Sequence, residues 1–116
     1  MNKYLVDVFK FGEYKGTLGA KSLESAHSQW GRMYDSEGVE MRWRTTKEGW
    51  RITYLRELAV GDYFLKVNNK LKPGKTVYVR DDFDRSSNKY GYYKFHDVCD
   101  YKEARGNILV TDEMTF

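Results

Sequence analysis

The sequence predicts an α+β protein: a ββαββ module with one helix packed on an antiparallel sheet, followed by an SH3-like small β-barrel half. Alternating polarity runs through the first half and is interrupted by one stretch with helical spacing. From residue 57 onward the chain is a series of short segments rich in Tyr, Val and Phe, divided by turn sequences at intervals typical of small barrels. No Pro/Gly/Ser-rich linker divides residues 1–56 from residues 57–116, so we expect the two modules to pack together as one body.

The first three elements of the leading module follow from local patterns. Lys3 to Phe11 alternates in polarity as a strand does, and the turn at Gly12-Glu13 lets Tyr14 to Leu18 return as a hairpin partner. Ser22 is a suitable N-cap for a helix over Leu23 to Asp35, in which apolar residues recur at spacings of three and four.

A second hairpin is expected over Val39 to Leu55. Val39, Met41 and Trp43 alternate with polar residues on the first strand, and a turn at Lys47-Glu48-Gly49 leads to a return strand from Trp50. The apolar face of this hairpin would complete the sheet that packs on the helix. In the second module we expect four strands: Tyr63 to Val67, Thr76 to Phe83, Tyr90 to Phe95 and Ile108 to Thr111.

Composition excludes two functional classes. The net charge is +3, whereas a protein that mimics DNA with an acidic surface carries a large negative charge. The single cysteine, Cys99, forms no internal disulfide and does not suggest a secreted, bridge-stapled domain. The first residues alternate in polarity and carry Asp7 and Lys10, unlike a signal peptide or a spanning segment. We therefore expect a soluble protein of a reducing cytoplasm.

The polar face of the Val39–Leu55 hairpin is the first candidate binding site. Arg42, Arg44 and Arg51 share that face and Lys47 sits at the tip, which makes a basic ribbon able to contact phosphates. The alternative is ordinary solvated surface, because strand faces turned to water are routinely charged.

The stretch "YGYYKF" is the second candidate. Alternation places Tyr90, Tyr92 and Lys94 on one face of a strand and Tyr93 with Phe95 on the other. Such aromatic residues stack on unpaired bases, anchor protein interfaces or fill a core. At least one of the two sets is expected in the core, and the sequence does not say which.

The acidic run "RDDFDRSSNKY" has the oxygen ligands of a metal loop but not its spacing. Counted as a calcium loop from Asp82, Ser87 stands where glycine is needed and Tyr93 where the bidentate acid belongs. We interpret the run as a turn, in which Asp84 and Ser86 or Ser87 form capping hydrogen bonds and Asn88 adopts a left-handed conformation.

The stretch "HDVCD" is the remaining place where chemistry could occur. One cysteine and two histidines make a poor zinc site or thiol nucleophile, so we expect Cys99 to be a small buried residue and His96 a polar group at a strand end. No nucleotide-binding or serine-hydrolase motif is present either. We therefore expect no enzymatic activity, no cofactor and no metal.

Two longer stretches carry a resemblance. The opening "YLVDVF...GEYKGTLGAKSLESAHSQW" resembles the hairpin-then-helix start of many small phage-encoded proteins. The segment "VYVRDDFDRSSNKYGYYKFHDV", with the terminal "NILVTDEMTF", is similar to the ending of a group of uncharacterised phage and prophage proteins. The resemblance implies a mobile-element origin, a bacterial host and an accessory role, and it transfers no site residue.

These observations favour a non-catalytic accessory binding protein that acts through a protein–protein interface, as an inhibitor or modulator of a host factor. The alternative is a nucleic-acid-binding protein that uses the basic hairpin and the aromatic surface on DNA or RNA. A protein partner from host or phage is preferred, because a net charge of +3 with interleaved acids gives a weak field for gathering a polyanion. We expect no membrane partner.

Overall fold

The computed structural model describes residues 3–114, and the chain divides into two units between Arg44 and Thr45. The division lies nearer the N-terminus than the boundary predicted at residues 56 and 57. The first unit contains one α-helix and an antiparallel sheet, and the second is built mainly on an antiparallel sheet. The predicted α+β class, with one helix and mostly strands, is confirmed.

The first unit is built on a three-stranded antiparallel sheet. Strands β1 (Tyr4–Lys10), β2 (Glu13–Ala20) and β3 (Val39–Trp43) are arranged in the order β2-β1-β3. Phe11 and Gly12 make the turn between β1 and β2 with φ angles of 50° and 82°, which is the positive-φ geometry of a two-residue hairpin loop. The predicted first hairpin is confirmed, with its turn one residue earlier than expected.

Helix α1 (Leu23–Gly31) covers this sheet and begins where the sequence predicts. The Ser22 side chain accepts a hydrogen bond from the Ser25 backbone N–H at 3.0 Å, which confirms the N-cap. The helix ends at Gly31 rather than near Asp35, and the backbone N–H groups of Met33 and Tyr34 both donate to the Trp30 carbonyl in the turn that follows it. Glycine also has a low helix propensity.

The core of the first unit lies between α1 and one face of the sheet. Its buried residues are Val6, Val8, Ala20, Ala26 and Met41. Trp30 from the helix and Trp43 from β3 pack against this cluster from its margins, and Trp43 shares the apolar face of β3 with Met41 as the alternation predicted. The sheet faces were therefore assigned correctly, although the helix is shorter than expected.

The predicted Val39–Leu55 hairpin is wrong. Strand β3 pairs with β1, with Val6 opposite Trp43 and Val8 opposite Met41. The return strand shortens to β4 (Thr53–Tyr54), which pairs with a C-terminal strand in the second unit. Only an isolated bridge, Thr45 opposite Arg51, remains of the hairpin. The first unit is thus ββαβ rather than ββαββ.

The second unit holds a six-stranded antiparallel sheet with the order β4-β9-β5-β6-β7-β8. After β4 and a 3-10 helix at Leu55–Glu57, its strands are β5 (Tyr63–Lys66), β6 (Tyr78–Asp84), β7 (Lys89–Lys94), β8 (Asp97–Ala104) and β9 (Leu109–Thr111). The sheet is not a closed barrel, so the predicted SH3-like barrel is corrected to an open sheet. Four predicted strands are present with small shifts, and β8 was missed.

One face of the second sheet packs on the chain that precedes β5. The buried cluster consists of Leu55, Leu58, Phe64, Tyr92 and Val110, with Phe64 and Tyr92 in edge-to-face contact at 5.8 Å. The opposite face of β5 to β8 is only partly covered, since Val79 is buried there while Tyr63 and Tyr101 are exposed. In residues 3–114 the structure contains no helix long and apolar enough to cross a membrane.

Candidate functional site: an aromatic sheet face beside a free strand edge

Arg44, a predicted ligand contact, is held inside the first unit. Its Nη2 donates to Asp7 Oδ1 at 2.7 Å and to Thr17 Oγ1 at 2.7 Å, and its Nε donates to Asp7 Oδ1 at 3.2 Å. The hydrogen bond that Arg44 donates to Asp7 is the main cause of a raised pKa for Arg44. The guanidinium is thus a structural group that ties β3 to β1 and β2.

The other members of the predicted basic ribbon do not gather with Arg44 on one strand pair. Arg42 lies on β3 and pairs with Glu40 at 2.9 Å on an exposed surface. Arg51 lies in the second unit, where the carboxylate of Glu113 accepts bonds from its backbone N–H at 2.7 Å and from its Nε at 2.6 Å. Lys47 lies in an exposed turn. Each arginine therefore faces a carboxylate, and the hairpin needed for a ribbon is not formed.

The predicted site on β7 is split between the two faces of its sheet. Tyr92 is only 5% exposed and belongs to the core, and Tyr90 packs against the same cluster. Tyr92 is therefore not available as a surface contact, whereas Tyr90 is only partly buried. Lys94 forms an ion pair with Asp100 at 3.6 Å. Tyr93 lies on the opposite face, where the sheet presents aromatic side chains to solvent.

That opposite face carries a row of residues in direct register across four strands. Tyr63 on β5 is opposite Val79 on β6, Val79 is opposite Tyr93 on β7, and Tyr93 is opposite Tyr101 on β8. Side chains that are directly opposite in antiparallel strands share a face and interact. With Phe95 and Val98 these residues form what we call the aromatic face.

The aromatic face is exposed and contains a shallow groove of about 380 Å³. The exposed fractions are 43% for Tyr63, 40% for Phe95, 69% for Val98 and 49% for Tyr101. Tyr63 and Phe95 meet edge to face at 5.2 Å, which holds the two rings beside each other at the groove. Several large apolar side chains are thus contiguous at the surface.

Gly91 allows the Tyr101 ring to lie across β7. A Cβ atom at Gly91 would overlap the phenol ring of Tyr101, so any larger residue would displace that ring from the face. Desolvation, followed by the negative charges of Glu103 and Asp81, raises the pKa of the Tyr101 phenol above its usual value of 10.0. The phenol therefore stays neutral at physiological pH and lies beside acidic groups.

The acidic run Arg80 to Tyr90 forms the tight turn that the sequence predicted. Asp84 Oδ1 accepts hydrogen bonds from the Ser86 backbone N–H at 2.9 Å and from the Ser86 hydroxyl at 2.7 Å, and Asn88 has a φ of 57°. These bonds, the hydroxyl first, lower the pKa of Asp84. The turn interpretation is confirmed.

Cys99 differs from the prediction, whereas His96 agrees with it. His96 lies in the exposed turn between β7 and β8, with its ring in edge-to-face contact with Phe95 at 4.9 Å. Cys99 is exposed on β8, so the expectation that it would be buried is wrong. Within residues 3–114 the structure has no group of three or more His, Cys, Asp or Glu side chains that could hold a metal ion.

The outer edge of β8 is the second component of the candidate site. This eight-residue strand pairs with β7 on one side, and no strand among the described residues pairs with it on the other. An unpaired edge presents backbone N–H and C=O groups that can hydrogen-bond to another extended chain. The aromatic face and this edge adjoin, because Tyr101 belongs to both.

A separate cleft of about 560 Å³ lies in the first unit beside the end of α1. Trp30 and Tyr34 line it with their ring centroids 4.5 Å apart, and the exposed Met33 lies next to them. Its two lysines are neutralised by acids, with Lys10 3.7 Å from Asp35 and the other lysine paired with Glu13. The cleft thus offers an apolar rather than an ionic surface.

Alternation in the sequence placed Tyr93 and Phe95 on one strand face but did not reveal Tyr63, Val98 and Tyr101 beside them. Strand β8 escaped notice because most residues on both of its faces are exposed, so its polarity does not alternate as in a half-buried strand. The available signal was its position between two turn sequences, with Val98, Cys99 and Tyr101 as strand-forming residues.

Comparison with protein-family models, curated proteins and solved structures finds no match to this chain.

Proposed function

We propose that the protein is a non-catalytic binding protein that captures an extended segment of a partner protein on its aromatic face and along the outer edge of β8. The observation that carries the proposal is the contiguous exposure of Tyr63, Phe95 and Val98 around one groove. Single exposed apolar residues are normal on protein surfaces, whereas contiguous exposed patches mark interaction sites. Aromatic side chains are also the usual anchors of protein interfaces.

The strand edge supports a β-augmentation mode of binding. A partner strand added to β8 would form main-chain hydrogen bonds along eight residues, and alternate side chains of that strand would reach the aromatic face. Pairing with β8 also extends the row that ends at Tyr101 by one further strand. Affinity would come from the backbone and from buried aromatic area, and specificity from the groove.

The charges around the face indicate the chemistry of the partner. Asp81, Asp82 and Asp84 of β6 and Glu103 of β8 all act electrostatically on Tyr101, so this part of the face has an acidic rim. A partner segment with Lys or Arg among its apolar residues complements this rim, and the attraction speeds association more than it adds affinity. The resemblance of the sequence to phage and prophage accessory proteins supports a partner in a bacterial host, whose activity the bound protein would inhibit or modulate.

The proposal is tested by affinity capture from a bacterial lysate with matched surface variants. The face variant F95S/V98S removes two apolar side chains from the groove. The control M33S/V60S removes two comparably exposed apolar side chains elsewhere. A partner bound by wild type should be retained by the control and lost by the face variant, and its binding to β8 should protect the backbone amides of that strand from hydrogen exchange.

Two further results bear on the mode of binding. The variant D81N/D82N should slow association with the captured partner and reduce the salt dependence of its rate, because it neutralises part of the acidic rim. Equal capture by the face variant and the control, or a partner that leaves β8 exchange unchanged, contradicts the proposal. Capture of nucleic acid rather than protein by the same face would also contradict it.

A further inference from the structure

A second surface in the same unit has a different chemistry. A cleft of about 440 Å³ lies between the 3-10 helix, the β6–β7 turn and the β8–β9 turn. Arg56, Lys89 and Arg105 line it, together with Asn88 and Asn107. The aromatic face contributes no residue to it.

The three cations of the cleft lack acidic partners. Arg42, Arg44 and Arg51 each form an ion pair with a carboxylate. In contrast, Arg56, Lys89 and Arg105 form no ion pair within residues 3–114. One acid, Glu103, approaches the cleft and accepts a hydrogen bond from the lining residue Ser87 at 3.0 Å.

A fourth cation is buried next to the cleft. Arg80 is 7% exposed, its guanidinium lies 4.8 Å from the ring centroid of Tyr90, and Tyr90 lines the cleft. Its Nε is buried without a hydrogen-bond partner, and no carboxylate in the described part of the chain forms an ion pair with it. A buried charge of this kind is costly unless a counter-charge lies near. Its field therefore adds to that of Arg56, Lys89 and Arg105 and favours an anion in the cleft.

The walls of the cleft are fixed by backbone contacts. The Arg56 backbone N–H donates to the Gly106 carbonyl at 3.0 Å, and the Leu55 N–H donates to the Ile108 carbonyl at 3.1 Å. A Cβ atom at Gly106 would lie 2.6 Å from the Tyr90 ring and 2.7 Å from Arg56 Cβ, so only glycine permits this close approach. The cations are consequently presented from three elements that are held together before any ligand binds.

We propose that this cleft binds a phosphate group, carried either by a free nucleotide or by the backbone of a single-stranded nucleic acid. Guanidinium groups bind phosphate oxygens in bidentate fashion, lysine adds a point charge, and side-chain amides donate further hydrogen bonds. A volume of about 440 Å³ is in the range of sites that hold small ligands. The site does not depend on the aromatic face or on the proposed protein partner.

The test is an NMR titration of the full chain with inorganic pyrophosphate, with AMP and with a ten-residue oligothymidylate. The cleft variant R56Q/K89Q/R105Q is compared with K47Q/K70Q/K75Q, which removes the same charge from exposed lysines elsewhere in the unit. All three cleft cations are exposed, so both variants should remain folded, which amide spectra check directly. Wild type should show saturable shifts at Ser87 to Tyr90 and Arg105 to Asn107.

The cleft variant should lose at least tenfold in affinity, whereas the control should lose less than threefold. For the oligonucleotide, removal of three phosphate contacts should flatten the slope of log K against log salt by about 2. Binding of AMP or pyrophosphate as tight as that of the oligonucleotide assigns a free nucleotide, and tighter oligonucleotide binding assigns a strand. Absence of saturable shifts with all three probes at millimolar concentration, or equal losses in the two variants, overturns the proposal.

Discussion

Replacing Arg44 by Gln is the sharpest test of the conclusion that this arginine is structural. The side chain joins two strands through the carboxylate of Asp7 and the hydroxyl of Thr17, and Thr17 also donates to Asp7 Oδ1 at 2.8 Å. The side chains of Arg44 and Asp7 are 24% and 20% exposed. The variant removes the charge and leaves Asp7 with one good donor.

The expected loss lies between two limiting cases. Exposed ion pairs contribute between about 0 and 1 kcal/mol, and removing one partner of a fully buried pair costs about 3 to 5 kcal/mol. The Asp7–Arg44 pair is mostly but not fully buried, and Asp7 keeps its bond from Thr17. We therefore expect R44Q to lower the free energy of unfolding of the first unit by about 2 kcal/mol.

The matched control is R42Q on the same strand. Arg42 pairs with Glu40 at an exposed site where the two side chains are 64% and 58% accessible, so its loss should be below about 0.5 kcal/mol. Urea unfolding gives the loss in free energy of unfolding for both variants, and hydrogen exchange of the β1 amides shows whether that loss falls in the first unit. A double-mutant cycle with D7N should give a coupling energy of about 1 kcal/mol or more.

The pH dependence of this contribution has a definite sign. The pKa of Arg44 is raised by its hydrogen bond with Asp7, and a raised basic pKa stabilises the fold at every pH below the pKa of the unfolded state. The contribution of Arg44 is lost only as the pH rises through that raised pKa. Equal stability of R44Q and R42Q, or a coupling energy near zero, would refute the structural role. Arg44 would then again be a candidate residue for ligand binding.

Three further outcomes are expected. G38A should destabilise the first unit by about 1 kcal/mol or more, because Gly38 has a φ of 71° and an added Cβ would overlap the Phe11 ring. An unfolding curve like that of wild type contradicts this expectation. S86A should raise the pKa of Asp84 toward 3.8, because the hydrogen bond from the Ser86 hydroxyl is the main cause of the lowered pKa. A carboxyl NMR titration measures this, and an unchanged titration midpoint would show that this hydrogen bond does not stabilise the Asp84 carboxylate. W43A should lower the unfolding free energy by about 3 kcal/mol, because Trp43 packs on the core, and a loss below about 1 kcal/mol means that the ring adds little burial.

The sequence by itself determined the local elements of the fold. Alternation predicted β1, the apolar face of β3 and four strands of the second unit, and Ser22 marked the start of the helix correctly. The Asp84 turn was also readable, because capping hydrogen bonds act over two residues. Each of these features depends on neighbours in the chain, which a periodic pattern or a turn sequence reports directly.

Strand pairing was decided only by the tertiary structure. β3 could have paired with the next segment, as the hairpin prediction assumed, but it pairs with β1 and leaves β4 to pair with β9. Alternation indicates which residues share a face and does not identify the partner strand. Pairing between distant segments depends on the burial gained by the whole sheet, and this gain does not appear in any short stretch of sequence.

The candidate sites followed from that pairing. Arg44 became structural because β1 brings Asp7 beside it, and Arg51 because Glu113 reaches it from a segment 62 residues away. The same pairing put Tyr92 in the core and left Tyr93 opposite Val79 and Tyr101 on the aromatic face. The sequence determined which charges and rings the protein has. Only the tertiary structure decided which are neutralised or buried, because Coulombic attraction and desolvation depend on distances between residues that are far apart in the chain.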